Sequence, residues 1–335
     1  MRDTGKGKAP ASHNSASQNG ALTQASGGSQ SETIRAIPVR HFGRWAGAVL
    51  AVLAAALIIR LFALSPNINW GKVGHYIFSP QILLGLRLTI IYTLASFALG
   101  IAMGVIAAVM RMSLNPVLRI ISWFYLWLFR GTPLLVQIIF WFNIALILPR
   151  VGVGIPFTQF WVSTDTGVIV TTSVAAILAL GLNEGAYMAE IVRSGIQVVD
   201  YGQTDAGLAL GMKRPLVFRM IVLPQAMRAI IPPTGNQFIG LLKSTSLVSV
   251  IAAQELLTKA QNIYAQNLLT IELLIVAAFW YLVVTSLLTL GQYYVERHFA
   301  RGATNRDLPL TPLQRLRQQL HRISLGTSNR VSAGR

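Results

Sequence analysis

YGQTDAGLALGMKRPLVFRMIVLP, Tyr201 to Pro224, is a polar and charged interlude in a chain that is otherwise largely apolar. Its first half reads as a short helix. Gln203, Thr204 and Asp205 stand at the start, where side-chain acceptors are wanted, an alanine and leucine body follows, and Gly211 suits the positive φ of a helix end. Lys213 and Arg214 come next; Pro215 fits the first turn of a second helix, and Pro224 is expected to kink or end it. Long ordered loops between apolar segments usually carry function. The plainer alternative is an amphipathic loop lying on a lipid surface.

The surroundings of this stretch fix the class. Of 335 residues, 53% are hydrophobic and 12% charged, and the mean hydropathy is +0.55. Soluble domains carry about 25% charged residues, so the composition is that of a membrane protein. The net charge of +17 would by itself suit nucleic acid, but the basic residues flank apolar runs and do not stripe a polar face. There is no cysteine, which removes disulfides, thiolate metal sites and cysteine nucleophiles.

Six apolar runs are long enough to span a bilayer, which takes about 20 helical residues. Residues 1–34, rich in Ser, Gly, Ala, Gln and Asn, read as disordered. With the basic collar of Arg35, Arg40, His41 and Arg44 they make a 1–44 tail before the first run, residues 45–64. A cleaved signal peptide is the alternative there; the long preceding tail favours a retained anchor. Leu88 to Met110 holds no charge, and its Gly100 and Gly104 allow close helix packing. Ile120 to Pro149 is too long for one plain span and is expected to break at Gly131-Thr132-Pro133. A polar loop is expected over 150–167. The remaining runs are Val168 to Ile191, Thr234 to Leu257 and Leu273 to Val295. In the 301–335 tail, Leu313, Leu316, Leu320 and Ile323 recur at helical spacing among arginines. That is either a basic amphipathic helix on anionic lipid or a solvated tail.

The expected fold is therefore an all-α polytopic membrane protein: one extra N-terminal span plus a five-helix core within 80–300. With six crossings, 21 Lys and Arg fall on the side of the termini and four (Arg60, Lys72, Arg150 and Lys259) on the other. The positive-inside rule then places both termini and the 193–228 loop in the cytoplasm of a multi-pass plasma-membrane protein.

Four motifs in order resemble a known family. Asp205-Ala206-Gly207, Gly211 six positions after the acid, and Ile221-Val222-Leu223-Pro224 resemble the EAA loop of ABC-importer permeases, with Asp for the usual Glu and Gly for the second Ala. FRGTPLLVQ (Phe129–Gln137), EGAYMAEIVRSGI (Glu184–Ile196) and LLKSTSLVSVIAAQEL (Leu241–Leu256) continue the resemblance, which is to the polar amino-acid (histidine, glutamine, glutamate type) permeases. It implies that Asp205, Ala206, Gly207, Gly211, Leu223 and Pro224 form a cytoplasmic coupling helix and its support, docked on an ATPase. It also implies two ATPase subunits that bind ATP and Mg, a second permease copy or homologue, and an extracytoplasmic amino-acid-binding protein.

This chain shows no phosphate-cradling G-x-x-x-x-G-K-[ST], no H-E-x-x-H, no metal-ligand spacing among five histidines and no nucleophile–base pair. No catalytic, metal or cofactor site is expected, and no nucleic-acid partner. Function should be sought in ionisable groups within the spans, which cost a few kcal/mol to insert and normally face protein or water. These are Arg87, Arg130, Glu184, Glu190, Lys243 and Glu255. A zwitterionic substrate needs donors for its carboxylate and acceptors for its amine, and the broken backbone at Thr132 could add amides. Resemblance favours the segment around Glu184 and the Lys243-Ser244-Thr245-Ser246 stretch. Arg130, Thr132, Glu184, Lys243, Thr245 and Ser246 are thus the pathway candidates. The alternative is that the charges pair with one another, as Glu190 and Arg193 should, one turn apart. Two other functions compete. A secondary transporter would carry inverted repeats, which are not evident, and a structural scaffold would leave buried charge unexplained.

Overall fold

The computed structural model describes residues 42–154 and 161–300. The expected N-terminal tail and the amphipathic tail helix lie outside these. The chain divides into two compact units, residues 1–64 and 65–335. In the first, α1 (Phe42–Ala63) is apolar on every side between Arg44 and Arg60, and none of its residues from Ala46 on is buried. That is the pattern of a helix solvated by lipid.

The second unit begins with α2 (Trp70–Ile77), capped by Asn69, whose side chain accepts from Lys72 N at 3.1 Å. Ser79 and Pro80 start α3 (Pro80–Met112), and Asn115 and Pro116 start α4 (Pro116–Gly131). Both pair a capping acceptor with a proline whose missing N–H costs nothing in the first turn. α5 (Leu134–Phe142) and α6 (Ile144–Ile147) follow the break at Gly131-Thr132-Pro133. α7 (Thr166–Ile169) and α8 (Thr172–Gln197) lead to α9 (Tyr201–Ala209). α10 (Arg214–Val217), a π-turn at Phe218–Val222, α11 (Leu223–Ser244) and a 3₁₀ segment (Thr245–Ile251) form one continuous run. α12 (Leu256–Asn267) and α13 (Thr270–Ala300) close the unit.

Among the described residues, five helical segments are long and apolar enough to cross a membrane: α1, α3, α8, the run Arg214–Ile251, and α13. A sixth crossing exists only if α4 and α5, bent 105° against each other, count as one broken span. The all-α expectation needs one amendment. Where a polar loop was expected, β1 (Arg150–Gly154) and β2 (Trp161–Asp165) pair antiparallel, Arg150 opposite Asp165 and Gly154 opposite Trp161.

Pro224 does not end its helix. Leu223 N reaches back five residues to Phe218 O, so the chain widens into a π-turn just ahead of the proline. A proline ring collides with the carbonyl four residues back, and a widened turn relieves that collision without stopping the helix. The span therefore starts about twenty residues earlier than hydropathy alone suggests, because Arg214, Arg219 and Arg228 depress the average.

α3 and α8 form the most extensive pairing. A Cβ on Gly104 would lie 2.5 Å from Met188 Cβ, and one on Gly181 would lie 2.7 Å from Leu99. Around this pair Tyr92, Ile138, Ala175, Ala179, Leu180, Leu241 and Val248 make one apolar core. A second core joins α2, α3, α12 and α13 through Val73, Ile82, Leu256, Ile263 and Val276.

Candidate functional site

The bend between α4 and α5 is a polar junction built from one orphaned carbonyl. Phe129 O would normally accept from the residue four places on, but that residue is Pro133, which has no N–H. Two side-chain amides replace it: Gln137 Nε2 and Asn183 Nδ2 each donate to Phe129 O at 2.9 Å. Gln137 Nε2 also donates to Thr132 Oγ1 at 2.8 Å, and Asn183 Nδ2 donates to Gln137 Oε1 at 3.1 Å. Thr132 closes the end of α4 by donating to Leu128 O at 2.8 Å. A helix break at depth is tolerated only when its freed groups are paired, and here α8 supplies part of the pairing.

One residue beyond Asn183 sits Glu184, 6% exposed, with Oε1 lacking a hydrogen-bond partner. Gly100 of α3 faces it so closely that an added Cβ would stand 2.9 Å from Glu184 Cγ. Ser96, one turn earlier on α3, is fully buried and its hydroxyl is likewise unpaired. Tyr125 of α4 closes the other side; its hydroxyl donates to Leu182 O at 2.6 Å and lies where a side chain on Gly185 would go. Glu184 is thus a buried carboxyl with spare acceptor capacity.

Arg130, the other expected partner for substrate charge, turns elsewhere. Its guanidinium lies 4.0 Å from Glu190 and 5.5 Å from the centre of the Tyr187 ring. Glu190 is also paired with Arg193, through Nε at 3.3 Å and through the NH2 group. The expected Glu190–Arg193 pair forms, and Arg130 joins it. Among the described residues no ion pair or hydrogen bond joins Glu184 to Arg130 or to Lys243.

Lys243 is exposed at the end of α11, while Thr245 is fully buried. Three hydroxyls here turn back on the chain: Ser244 Oγ donates to Gly240 O, Thr245 Oγ1 to Leu242 O and Ser246 Oγ to Lys243 O. They satisfy carbonyls that a tightening helix end would leave open. Past this end, Ala252 takes a left-handed φ of 56°, and Glu255 caps α12. Glu255 is 0% exposed. It accepts from Leu257 N at 2.8 Å, Thr258 N at 2.7 Å, Thr258 Oγ1 at 3.0 Å and Tyr281 OH at 2.8 Å. A span over Thr234 to Leu257 would have put this acid inside a helix; instead it starts the next one.

α9 differs from expectation at its start. Asp200 is the cap, accepting from Gly202 N at 2.7 Å, and Gln203, Thr204 and Asp205 fall inside the helix. Its end is as read. Gly211 has φ +78°, Gly211 N donates to Leu208 O at 2.9 Å, and Met212 N donates to Gly207 O at 3.1 Å. This is a Schellman closure. Asp205 and Ala206 are exposed; Gly207 is buried against Val217 and Ile221 and lets α9 lie on its own support. Leu223 is half-buried and Pro224 exposed in that support.

Sequence reasoning missed Gln137 and Asn183. A signal existed: a primary amide four residues past a proline, and a second in an alanine-rich span, are both costly in lipid unless paired.

A bundle of long apolar helices with a capped polar helix between two of them defines a multi-pass membrane protein. The family of binding-protein-dependent transport system inner membrane components matches residues 100–301, and the chain belongs to it; it is an ABC-importer permease. Its relatives include the arginine transport system permease protein of Corynebacterium glutamicum, 44% identical over 286 residues, covering 84% of this chain and 89% of that one. The L-cystine transport system permease protein of Bacillus subtilis is 39% identical over 240 residues, covering 71% of this chain and 94% of that one. A crystal structure of an amino acid ABC transporter with histidines superposes with a TM-score of 0.59 at 32% identity, covering 69% of this chain and 99% of that one.

Proposed function

We propose that the chain moves polar amino acids across the cytoplasmic membrane, with both termini and α9 in the cytoplasm. The reading is carried by the 44% identity to an arginine permease over 84% of the chain, which makes basic amino acids the first substrates to test. In this reading two ATPase subunits supply ATP and Mg, a second permease copy or homologue completes the pathway, and an extracytoplasmic binding protein delivers substrate. Domain roles follow: residues 45–64 anchor, 80–300 translocate, and the two tails stay inside. Glu184, with its unpaired oxygen, is the acceptor for substrate amine, and Arg130, Thr132, Lys243, Thr245 and Ser246 are the other pathway candidates.

Coupling is assigned to α9. Gly207 fastens it to Val217 and Ile221, leaving Asp205 and Ala206 to face the ATPase, and Gly211, Leu223 and Pro224 fix its angle. Gly211→Arg places a non-glycine side chain at φ +78°, costing about 1 kcal/mol, beside the docking face. The test is uptake of labelled arginine, histidine and cystine by vesicles holding the whole complex, with co-purification of the ATPase scored for Gly211→Arg. Lost uptake and lost ATPase with normal membrane insertion supports the assignment. Retention of both ends it.

A further inference from the structure

Three helix ends meet at one groove outside the site just described. Arg111 from the end of α3, Arg119 from the first turn of α4 and Arg193 from the last turns of α8 line a 350 Å³ groove with Met112, Ile120 and Trp123. Arg193 is paired with Glu190 and donates to Gln197 Oε1 at 2.5 Å. Arg119 makes one long contact, to Ser113 O at 3.5 Å. Arg111 has no hydrogen bond or ion pair among the described residues. Glu190 is thus shared by Arg193, Arg111 and Arg130, the last 4.0 Å away, and Arg119 adds a further positive charge to the groove. The wall beside the arginines is apolar and outward-facing: Ile120, Trp123, Phe124 and Trp127 are exposed, and the two indoles stack with centroids 6.1 Å apart.

We propose that this groove binds the phosphate of an anionic phospholipid headgroup. Guanidiniums match phosphate oxygens with paired N–H donors, and a surplus of positive charge at a helix-end groove is met by an anion. Charge alone would accept any phosphate; the wall selects a lipid. Indoles side by side with cations are the side-chain set of the headgroup level, where the ring sits among glycerol and upper acyl carbons. A free phosphate would leave Ile120 and Trp123 uncovered. The leaflet concerned is the one at the α9 end of the bundle; that it is the cytoplasmic one rests on the orientation proposed above.

The full-length chain, purified in detergent, is titrated with phosphatidylglycerol and with phosphatidylcholine and read by native mass spectrometry. Wild-type protein is expected to prefer phosphatidylglycerol. Arg111→Gln and Arg119→Gln, neither of them itself assigned to transport or coupling, should each weaken that lipid roughly fivefold and leave phosphatidylcholine unchanged. Arg111→Lys, which keeps the charge but not the paired donors, should recover only part of the affinity. No preference in the wild type, equal affinity in the variants, or displacement of the lipid by millimolar inorganic phosphate would each overturn the proposal. The wild-type preference needs no variant to fold, and none of the readouts depends on which solute is transported.

Discussion

Two buried glutamates of this molecule are held in opposite ways. Glu255, at the start of α12, has its oxygens occupied by two backbone N–H groups and two hydroxyls from two elements of the fold, α12 and α13. Glu184, in the middle of α8, is nearly as deep yet has an oxygen with no donor. A saturated carboxylate fastens structure, since removing it orphans every donor around it. An unsaturated one has capacity left over, and the cost of keeping it there needs a reason other than stability. Burial alone does not separate the two; counting donors does.

The largest effect should come from Glu255→Ala. It strands Leu257 N, Thr258 N and the Tyr281 hydroxyl, at about 1–3 kcal/mol for each orphaned group, and removes the α12 cap. Thermal unfolding of the solubilised chain should show a large drop in Tm, and an unchanged Tm breaks the contrast at once. Gly104→Leu should come next. Its first added atom falls 2.5 Å from Met188 Cβ, and overpacking of this kind costs about 1–3 kcal/mol or more. The same unfolding assay reads it, and a mild result would mean that the α3–α8 seam can open.

Gln137→Ala should cost about 1–2 kcal/mol, since it removes one of two donors to Phe129 O and leaves Asn183 to hold the bend. Faster amide exchange confined to residues 129–137 is the expected signature. The smallest change in stability belongs to Glu184→Gln, within about 1 kcal/mol of wild type, because an amide here loses no existing bond of the unpaired oxygen. Uptake, in contrast, should fall or change in preference. If Glu184→Gln lowers Tm as far as Glu255→Ala does, the two acids play the same part and the pathway role of Glu184 is lost.

Much of this fold is legible in the chain because lipid imposes length and apolarity on each crossing. The break at Gly131-Thr132-Pro133 and the end of α9 at Gly211 were readable for the same reason: proline and glycine carry their backbone consequences with them. What escaped lacks such punctuation. Ala252 turns left-handed with no glycine or asparagine to announce it, so the apolar run into Leu257 looked continuous. The strands β1 and β2 are five residues each, too short for an alternating pattern to stand out from the polar stretch around them. Asp200 lay three residues ahead of an equally plausible group of caps. The Gln137–Asn183 contact joins residues 46 apart, a distance over which no local pattern speaks.

The glycines that let α3 and α8 touch also set how the molecule can move. At Gly100, Gly104, Gly181 and Gly185 the neighbouring atoms stand where a Cβ would be, so each helix is keyed into the other at several levels. Keyed surfaces resist sliding, since any shift along the axis drives a side chain into opposing backbone. The pair must travel as one beam. Any bending of the bundle would then fall outside this pair, at the 105° elbow after α4 or the left-handed turn at Ala252. Glu184, which faces Gly100 within the pair, would keep its place between the two helices.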